Sequence, residues 1–352
     1  MKPPYSFVGA CLAMALAACS GAQTGVTPNT LPAAGAPPTS SFTGAATPSV
    51  GKVQHLTGAH KATSALILIA NENTGLGGSI REYAENANGN VAPSSVISSG
   101  VGQPLGIAFT STGKGRIGLA GGNLDSPGMN GVKTFAISSG DFLTGISCFP
   151  KPSQTNAVAF DSTGHLYVSA SLPEGGRAVE VFGRGANGCV KPKRTISDDG
   201  GLAIDTNNLL YVANSKTATI DIFPSGSGTM EAQIGGSNTG LVAPGTVAID
   251  ASLNVYVFDT TTATISEFAA GATGNVVPIR TIAGSNTGLA GGNGFSFGLA
   301  VSKASGEIFV SNSGSNAILG FAATASGNVA PIQTIAGSAT GLADPLGLVV
   351  TE

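Results

Sequence analysis

One short apolar string recurs six times along the chain, and no other feature constrains its fold as much. The copies are Gly106-Ile-Ala-Phe109, Ala157-Val-Ala-Phe160, Gly201-Leu-Ala-Ile204, Thr246-Val-Ala-Ile249, Gly298-Leu-Ala-Val301 and Gly347-Leu-Val-Val350. They begin 44 to 52 residues apart, and a period of that length marks a supersecondary unit repeated along the chain. Three copies carry an acid directly afterwards: Asp161, Asp205 and Asp250. A second string follows, as in Leu166-Tyr-Val168, Leu210-Tyr-Val212, Val255-Tyr-Val257 and Ile308-Phe-Val310, and Leu66-Ile-Leu-Ile69 fills the same slot near the start. A third ends on an aromatic residue in every unit: Tyr83, Phe135, Phe182, Phe223, Phe268 and Phe321. The fourth piece is clearest after the Gly-Asn-Val-x-Pro runs at Gly274–Pro278 and Gly327–Pro331, which lead to Thr281-Ile282 and Thr334-Ile335; Gly89–Pro93 is a third copy of the run.

Four short strands per period, separated by Gly, Asn and Pro turns, predict an antiparallel meander. A single meander cannot bury both of its faces, so the units must stack radially. The expected fold is all-β, a six-bladed β-propeller of four-stranded antiparallel blades. Composition agrees: glycine supplies 52 of 352 residues, and a chain rich in Gly, Ser, Thr and Asn fills helices poorly. Closure is also legible. The unit from Ala65 starts at its second strand, while the chain ends on a lone first strand, Pro345–Val350. The C-terminal strand is therefore expected to complete the N-terminal blade. Units such as Gly201-Leu-Ala-Ile-Asp205, Leu209-Leu-Tyr-Val-Ala-Asn214 and Thr219-Ile-Asp-Ile-Phe223 resemble NHL-type repeats. The resemblance covers roughly residues 64–352, is strongest from 157 onwards, and is degraded where Lys114–Leu119 replaces the usual second strand. It implies an architecture, and such propellers host many unrelated functions.

The N-terminus reads as an address. Lys2 precedes an apolar run from Phe7 to Ala18, too short to span a bilayer but suited to a signal-peptide core. The run ends in Leu16-Ala-Ala-Cys19-Ser20, which resembles a bacterial lipobox and implies lipidation at Cys19; the alternative is an ordinary signal peptide that contains a cysteine. Ser20 after that cysteine, by the same resemblance, implies the outer membrane. No charge appears from Ser20 to Gly51, so residues 19–63 read as a flexible tether with an r.m.s. span of roughly 35 Å. The domains expected are thus a signal peptide at 1–18, the tether at 19–63 and the propeller at 64–352. No later apolar stretch approaches the length of a membrane-spanning helix.

In a propeller, chemistry is expected on the axis. Lactonases of the gluconolactonase kind resemble such propellers, and the resemblance implies a divalent cation held by Glu, Asn and Asp just before the first strand of several blades. The matching positions here are Leu105, Asn156, Gly200, Gly245, Phe297 and Leu346, of which only Asn156 offers a side-chain oxygen. Calcium wants six to eight oxygens, so no metal and no cofactor is expected. A second ring follows the second strand: Asn71, Gly121, Ala170, Asn214, Asp259 and Asn312. Asn71, Asn214, Asp259 and Asn312 could gather near the axis around a ligand, or bond their own turn backbone, the plainer reading.

Two motif matches fail on context. Gly183-Arg-Gly-Ala-Asn-Gly188 fits a dinucleotide fingerprint but leads to no helix, and is expected to be a hairpin turn. Gly294-Phe-Ser-Phe-Gly298 fits a nucleophile elbow, yet a β-strand follows and His55, His60 and His165 all lie upstream. His165 itself is expected in a solvated turn. No His/Cys zinc spacing exists, which disfavours the metal-dependent amidating lyases that share this fold. Cys148 and Cys189 fall near the outer strands of neighbouring blades, and an exported protein allows them to bond, with two free thiols as the alternative.

Sixteen Lys and Arg against 19 Asp and Glu argue against nucleic acid, which needs clustered cations. The sequence therefore reads as a lipid-anchored, monomeric envelope propeller, acting as a non-enzymatic binding or scaffolding module for a protein or glycan on one face. The alternative is a lactonase-like hydrolase or lyase with an atypical axial metal site; a purely structural adhesion protein is a third possibility. Changing Cys19 to Ala is expected to abolish lipidation and detergent-phase partitioning; unchanged partitioning would count against the lipobox.

Overall fold

Each repeat folds into one sheet of four strands because its apolar strings alternate with turns that only Gly, Asn and Asp enter easily. The computed structural model describes residues 65–72, 77–111, 116–121, 131–147, 154–172, 175–198, 200–291 and 298–351. All of them fall in the second of two compact units, Val53–Glu352. The expected signal peptide and tether, with Cys19, lie outside the described residues.

The first blade contains β1 (Leu66–Asn71), β2 (Ser79–Ala84) and β3 (Ser95–Ile97). The second contains β4 (Pro104–Thr110), β5 (Arg116–Gly121), β6 (Gly131–Ala136) and β7 (Phe142–Ile146). The third contains β8 (Gln154–Phe160), β9 (Leu166–Ser171), β10 (Arg177–Phe182) and β11 (Arg194–Ile196). The fourth contains β12 (Gly201–Ile204), β13 (Leu210–Asn214), β14 (Thr219–Phe223) and β15 (Ala232–Gly235). The fifth contains β16 (Pro244–Ile249), β17 (Val255–Asp259), β18 (Thr264–Phe268) and β19 (Arg280–Ile282). The sixth contains β20 (Leu299–Val301), β21 (Ile308–Asn312), β22 (Ala317–Phe321) and β23 (Gln333–Ile335). The last strand, β24 (Pro345–Thr351), pairs antiparallel with β1 and completes the first blade in the order β24-β1-β2-β3. The six-bladed propeller and its closure follow the sequence reading. The degraded second unit still forms its strand, β5, paired with β4 and β6.

Burial follows the blade interfaces. Six apolar clusters form, each built from two neighbouring blades. The aromatic residue that ends each third strand sits in one of them: Tyr83, Phe135, Phe182, Phe268 and Phe321 are all essentially inaccessible, and Phe223 nearly so. The fold therefore has six small cores rather than one, and each blade contributes one face to each of two cores.

Inner strands meet around the axis at very short range. A Cβ placed on Gly106 would strike the backbone of Asn156 and Ala157, and one on Gly201 would strike Gly245 and Thr246. Gly298 faces the backbone of Leu346 and Leu348 in the same way, and Gly347 faces Leu105 and Ile107. This explains why four of the six recurring strings begin with glycine: in those blades the position has no room for a side chain.

At the rim a second device ties blade to blade. The glycine of each Gly-Asn-Val-x-Pro run makes a parallel bridge to the outer strand of the preceding blade: Gly274 to Ile234, Gly327 to Ile282 and Gly89 to Ile335. The next asparagine accepts a backbone N–H from that blade's following turn, Asn275 from Asn238, Asn328 from Asn286 and Asn90 from Ala339, each at 2.7 Å. The third pair spans the seam of the ring. There the Tyr83 hydroxyl also donates to Thr340 O at 2.7 Å; burial pushes its pKa up to about 12, with Arg81 opposing.

The seam gives a stability test. Strand β24 places Leu346, Leu348 and Val350 in buried positions, at about 1.5–3 kcal/mol each, and its loss would open two of the six cores. Deleting residues 345–352 is expected to lower the melting temperature by roughly 15 °C or more. A truncated chain melting within a degree or two of the full length would refute the closure.

Candidate functional site

Six blades converge on the axis, and its lining changes from one end to the other. At one end the inner strands bulge. Register slips at Leu105 (between Pro104 and Gly106), at Asn156 (between Thr155 and Ala157) and at Gly245 (between Pro244 and Thr246). In β24, Leu346 and Gly347 together stand opposite Ala70. A bulge re-aims a side chain out of the sheet, and these are the positions at which a lactonase-like propeller is expected to hold its metal. The side chains present do not fit that task. Leu105 and Leu346 are hydrocarbon, Gly200 and Gly245 have no side chain, and Phe297 lies outside the described residues. The Asn156 amide, 3% exposed, donates to Ser171 Oγ at 2.9 Å. Among the described residues no group of three or more His, Cys, Asp or Glu is arranged to hold a metal ion.

The second ring is engaged elsewhere, at the ends of the second strands. Asn71 Oδ1 accepts the N–H of Ala343 at 2.8 Å, and Asn312 Nδ2 donates to Gly288 O at 2.7 Å. Asp259 accepts from the backbone of Val242 and Ala243 with one oxygen, and from Thr261 and Thr262 with the other. Asn214 donates to Asp198 and Asp221 and accepts from Lys216 and Thr217 in its own turn. Each side chain therefore pins its own turn, the connection entering its blade, or both. Asn156 lines the narrow end of the axial channel. Sequence reasoning missed the partners of these staples. The signal was the string Gly-Ser-x-Thr-Gly-Leu at 236–241, 284–289 and 337–342, whose buried threonines each bond the glycine carbonyl three residues back.

The channel widens away from the bulged end. The narrow end encloses about 60 Å³ and the middle about 190 Å³, walled by Ile107, Val158, Leu202, Val247, Leu299 and Leu348. It opens into a funnel of about 520 Å³ with a floor of Phe109, Phe160, Ile204, Ile249 and Val350. Among the described residues the rim carries Asp161, Asp205, Asp250 and Lys303. All six inner strands are sheet edges, so their outer backbone groups face this space and supply its hydrogen-bonding capacity.

The three rim carboxylates are shaped by their turns. Asp205 Oδ1 accepts from the backbone of Asn207 and Leu209, and Asp250 Oδ1 from Ser252 and Asn254, all at 2.8 Å. Asp161 accepts from Thr163 and His165 backbone and from the Thr163 hydroxyl. His165 is half-buried rather than simply solvated: its Nδ1 lies 3.0 Å from Asp161 Oδ2 and 2.7 Å from Thr163 Oγ1. Burial alone would raise the Asp161 carboxyl, but the hydrogen bonds from Thr163 and His165 outweigh it and hold the group below its ordinary value.

At the rim between the second and third blades, Cys189 is disulfide-bonded. Cys148, its expected partner, lies outside the described residues. The neighbouring backbone is in contact, since Ser147 N–H donates to Gly188 O at 3.3 Å and Gly188 N–H to Gly145 O at 2.6 Å. The dinucleotide-like string 183–188 forms the turn between β10 and β11. In the elbow-like string only Gly294–Phe297 fall outside the described residues, and Gly298 leads directly into β20.

No protein-family model matches the chain, and no curated protein matches its sequence. Solved structures match its fold. A protein of unknown function from Bacteroides caccae superposes with a TM-score of 0.56 at 10% identity, covering 82% of this chain and 100% of that one. A chain of a nidogen/laminin complex gives 0.56 at 12% identity, covering 82% and 99%. The periplasmic gluconolactonase of Pseudomonas aeruginosa gives 0.52 at 14%, again covering 82% and 99%. At such identities the likeness concerns the fold.

Asp161 yields a pH test. A carboxyl whose folded pKa is depressed stabilises the fold fully above its unfolded value, about 3.9, and loses that contribution as pH falls through the lower native value. Asp161→Asn is therefore expected to flatten the acid limb of the stability profile below about pH 4. Equal acid slopes in both proteins would contradict the depressed carboxyl.

Proposed function

We propose that this protein is a lipid-anchored binding or scaffolding module of the bacterial cell envelope, built on NHL-type repeats. Its protein or glycan ligand is received at the funnel end of the propeller axis. The funnel carries the reading: a concave space of about 520 Å³ with an apolar floor and a polar rim has the character of a recognition site. Its polar side chains support recognition more than turnover. Asp161, Asp205 and Asp250 each accept two or more hydrogen bonds from their own turns, which holds them in place as fixed acceptors at the rim. Among the described residues the rim lining holds Asp161, Asp205 and Asp250 beside Lys303, a set that offers acceptors to neutral or cationic ligand groups.

A lactonase-like hydrolase or lyase is the alternative, and the shared fold with a gluconolactonase supports it. That reading requires a metal held by groups other than the bulged positions, where Leu105, Gly200, Gly245 and Leu346 offer no ligand.

The chain has no tryptophan, so Ile249→Trp places a single indole reporter in the funnel. Glycan panels and envelope-protein fractions can then be titrated while its emission is followed. A ligand received in the funnel is expected to shift that emission. It should bind at least ~10-fold more weakly to a chain carrying Ser162→Arg and Thr206→Arg at the exposed rim, a loss of about 1.4 kcal/mol or more. Binding that ignores the rim changes would remove the funnel from the reading. A stoichiometric calcium ion with calcium-dependent thermal stabilisation would favour the hydrolase.

A further inference from the structure

Cations are scarce in this chain, 16 Lys and Arg in 352 residues, yet four fall within eleven residues: Arg184, Lys191, Lys193 and Arg194. They occupy the hairpin from β10 into β11, at the outer edge of the third blade. Arg184, Lys191 and Lys193 are exposed, and Arg194 is half-buried. No acid interrupts the sequence between Glu180 and Asp198.

Register explains why the charge is uncompensated. In the fifth blade Tyr256, Glu267 and Arg280 stand opposite one another across three strands. There Arg280 pairs with Glu267 and donates to the Tyr256 hydroxyl at 3.1 Å. In the third blade the same three places hold Tyr167, Val181 and Arg194. Valine stands where the carboxylate would be, so Arg194 lies over the Tyr167 ring, 5.8 Å from its centroid, and reaches only the hydroxyl, at 3.3 Å. Lys193 Nζ lies 3.3 Å from His165 Nε2, another group without negative charge. The acids nearby are occupied or withdrawn: Asp161 is bonded within its turn, Asp198 accepts from Asn214, and Glu180 is only partly accessible. Among the described residues none of the four cations has a carboxylate within ion-pair distance.

The loop is also held in place. Gly188 bridges to Ile146 of the second blade, Asn187 Oδ1 accepts Gly145 N–H at 3.0 Å, and Cys189 is disulfide-bonded. A rigid cationic edge loses little entropy when it meets a surface.

We propose that this edge of the third blade is a docking surface for an anionic lipid bilayer, with Arg184, Lys191 and Lys193 meeting the headgroup phosphates. Charge complementarity carries the assignment, and the expected tether, roughly 35 Å in span, would keep such a surface within reach. Nucleic acid fits less well. The patch is short, its aromatic neighbour Tyr167 is 3% exposed and cannot stack on bases, and the chain as a whole carries a formal charge of −3. The proposal stands apart from the funnel reading and uses none of its residues.

The test uses the full chain carrying Cys19→Ala, so that no lipid contributes. It is compared with the same chain also carrying Arg184→Gln, Lys191→Gln and Lys193→Gln. Both are co-sedimented with vesicles of phosphatidylcholine alone and of phosphatidylcholine mixed with phosphatidylglycerol. The apolar N-terminal run is common to both chains, so their difference reports the edge. The expected result is about 100-fold weaker binding of the triple variant to the anionic vesicles, from roughly fivefold per cation. That difference should disappear on neutral vesicles and at about 0.5 M salt, where charges are screened within a few ångströms. Lys191→Arg with Lys193→Arg should bind as the parent does, which separates charge from folding. Equal binding of parent and triple variant to anionic vesicles would overturn the proposal, as would a parent chain that prefers duplex DNA to those vesicles.

Discussion

Everything in this propeller depends on how closely six inner strands can approach one axis. Gly106, Gly201, Gly298 and Gly347 each face the backbone of the next blade's inner strand at a distance that excludes a Cβ. That contact sets the narrow end of the channel and brings neighbouring blades together at the axis, so that their faces can share a core. Six interface clusters result, with no central core behind them. Stability is then a property of the closed ring: a blade left with one uncovered face would expose one of the two cores it helps to build. The β24–β1 pairing, the Gly89 and Asn90 clamp, and the Tyr83–Thr340 hydrogen bond all secure the same seam.

A chain this poor in charge uses most of its polar side chains to hold connections. Asn71, Asn214, Asp259 and Asn312 recur because in four blades they fix the turn after the second strand or the connection entering the blade, and a short side chain that bonds backbone does so at little entropic cost. Asp161, Asp205 and Asp250 perform the same service at the other end of the blades. Among the described residues, two places stand out as surface that the architecture does not itself explain. One is the funnel, whose apolar floor faces solvent at the axis. The other is the cationic edge of the third blade, where Val181 has taken the place of the carboxylate that neutralises Arg280 in the fifth.

The net charge of the sequence concealed that edge. A balance near zero argued against clustered cations, and so against polyanionic partners, but a sum over the chain says nothing about position. The same limit applied to the Gly-Asn-Val-x-Pro runs. Their recurrence marked the approach to the fourth strand, yet their partners, Ile234, Ile282 and Ile335, belong to the preceding blade. His165, lone among the histidines in a repeat, belongs to a turn whose Asp161 it helps to fix.

By itself the sequence determined the number of blades, the four strands in each, and the strand that closes the ring. Those features follow from local periodicity: strings of alternating burial and turn residues have nearly the same meaning wherever they occur. Only the tertiary structure decided what lies at the axis and at the rim. The inner strands of four blades begin with glycine because another blade's backbone occupies the space of a side chain, and the recurrent Asn and Asp each bond to the loops beside them. Whether a residue faces a neighbour, a channel or solvent depends on chain that lies some 45 positions away, where no local pattern reaches.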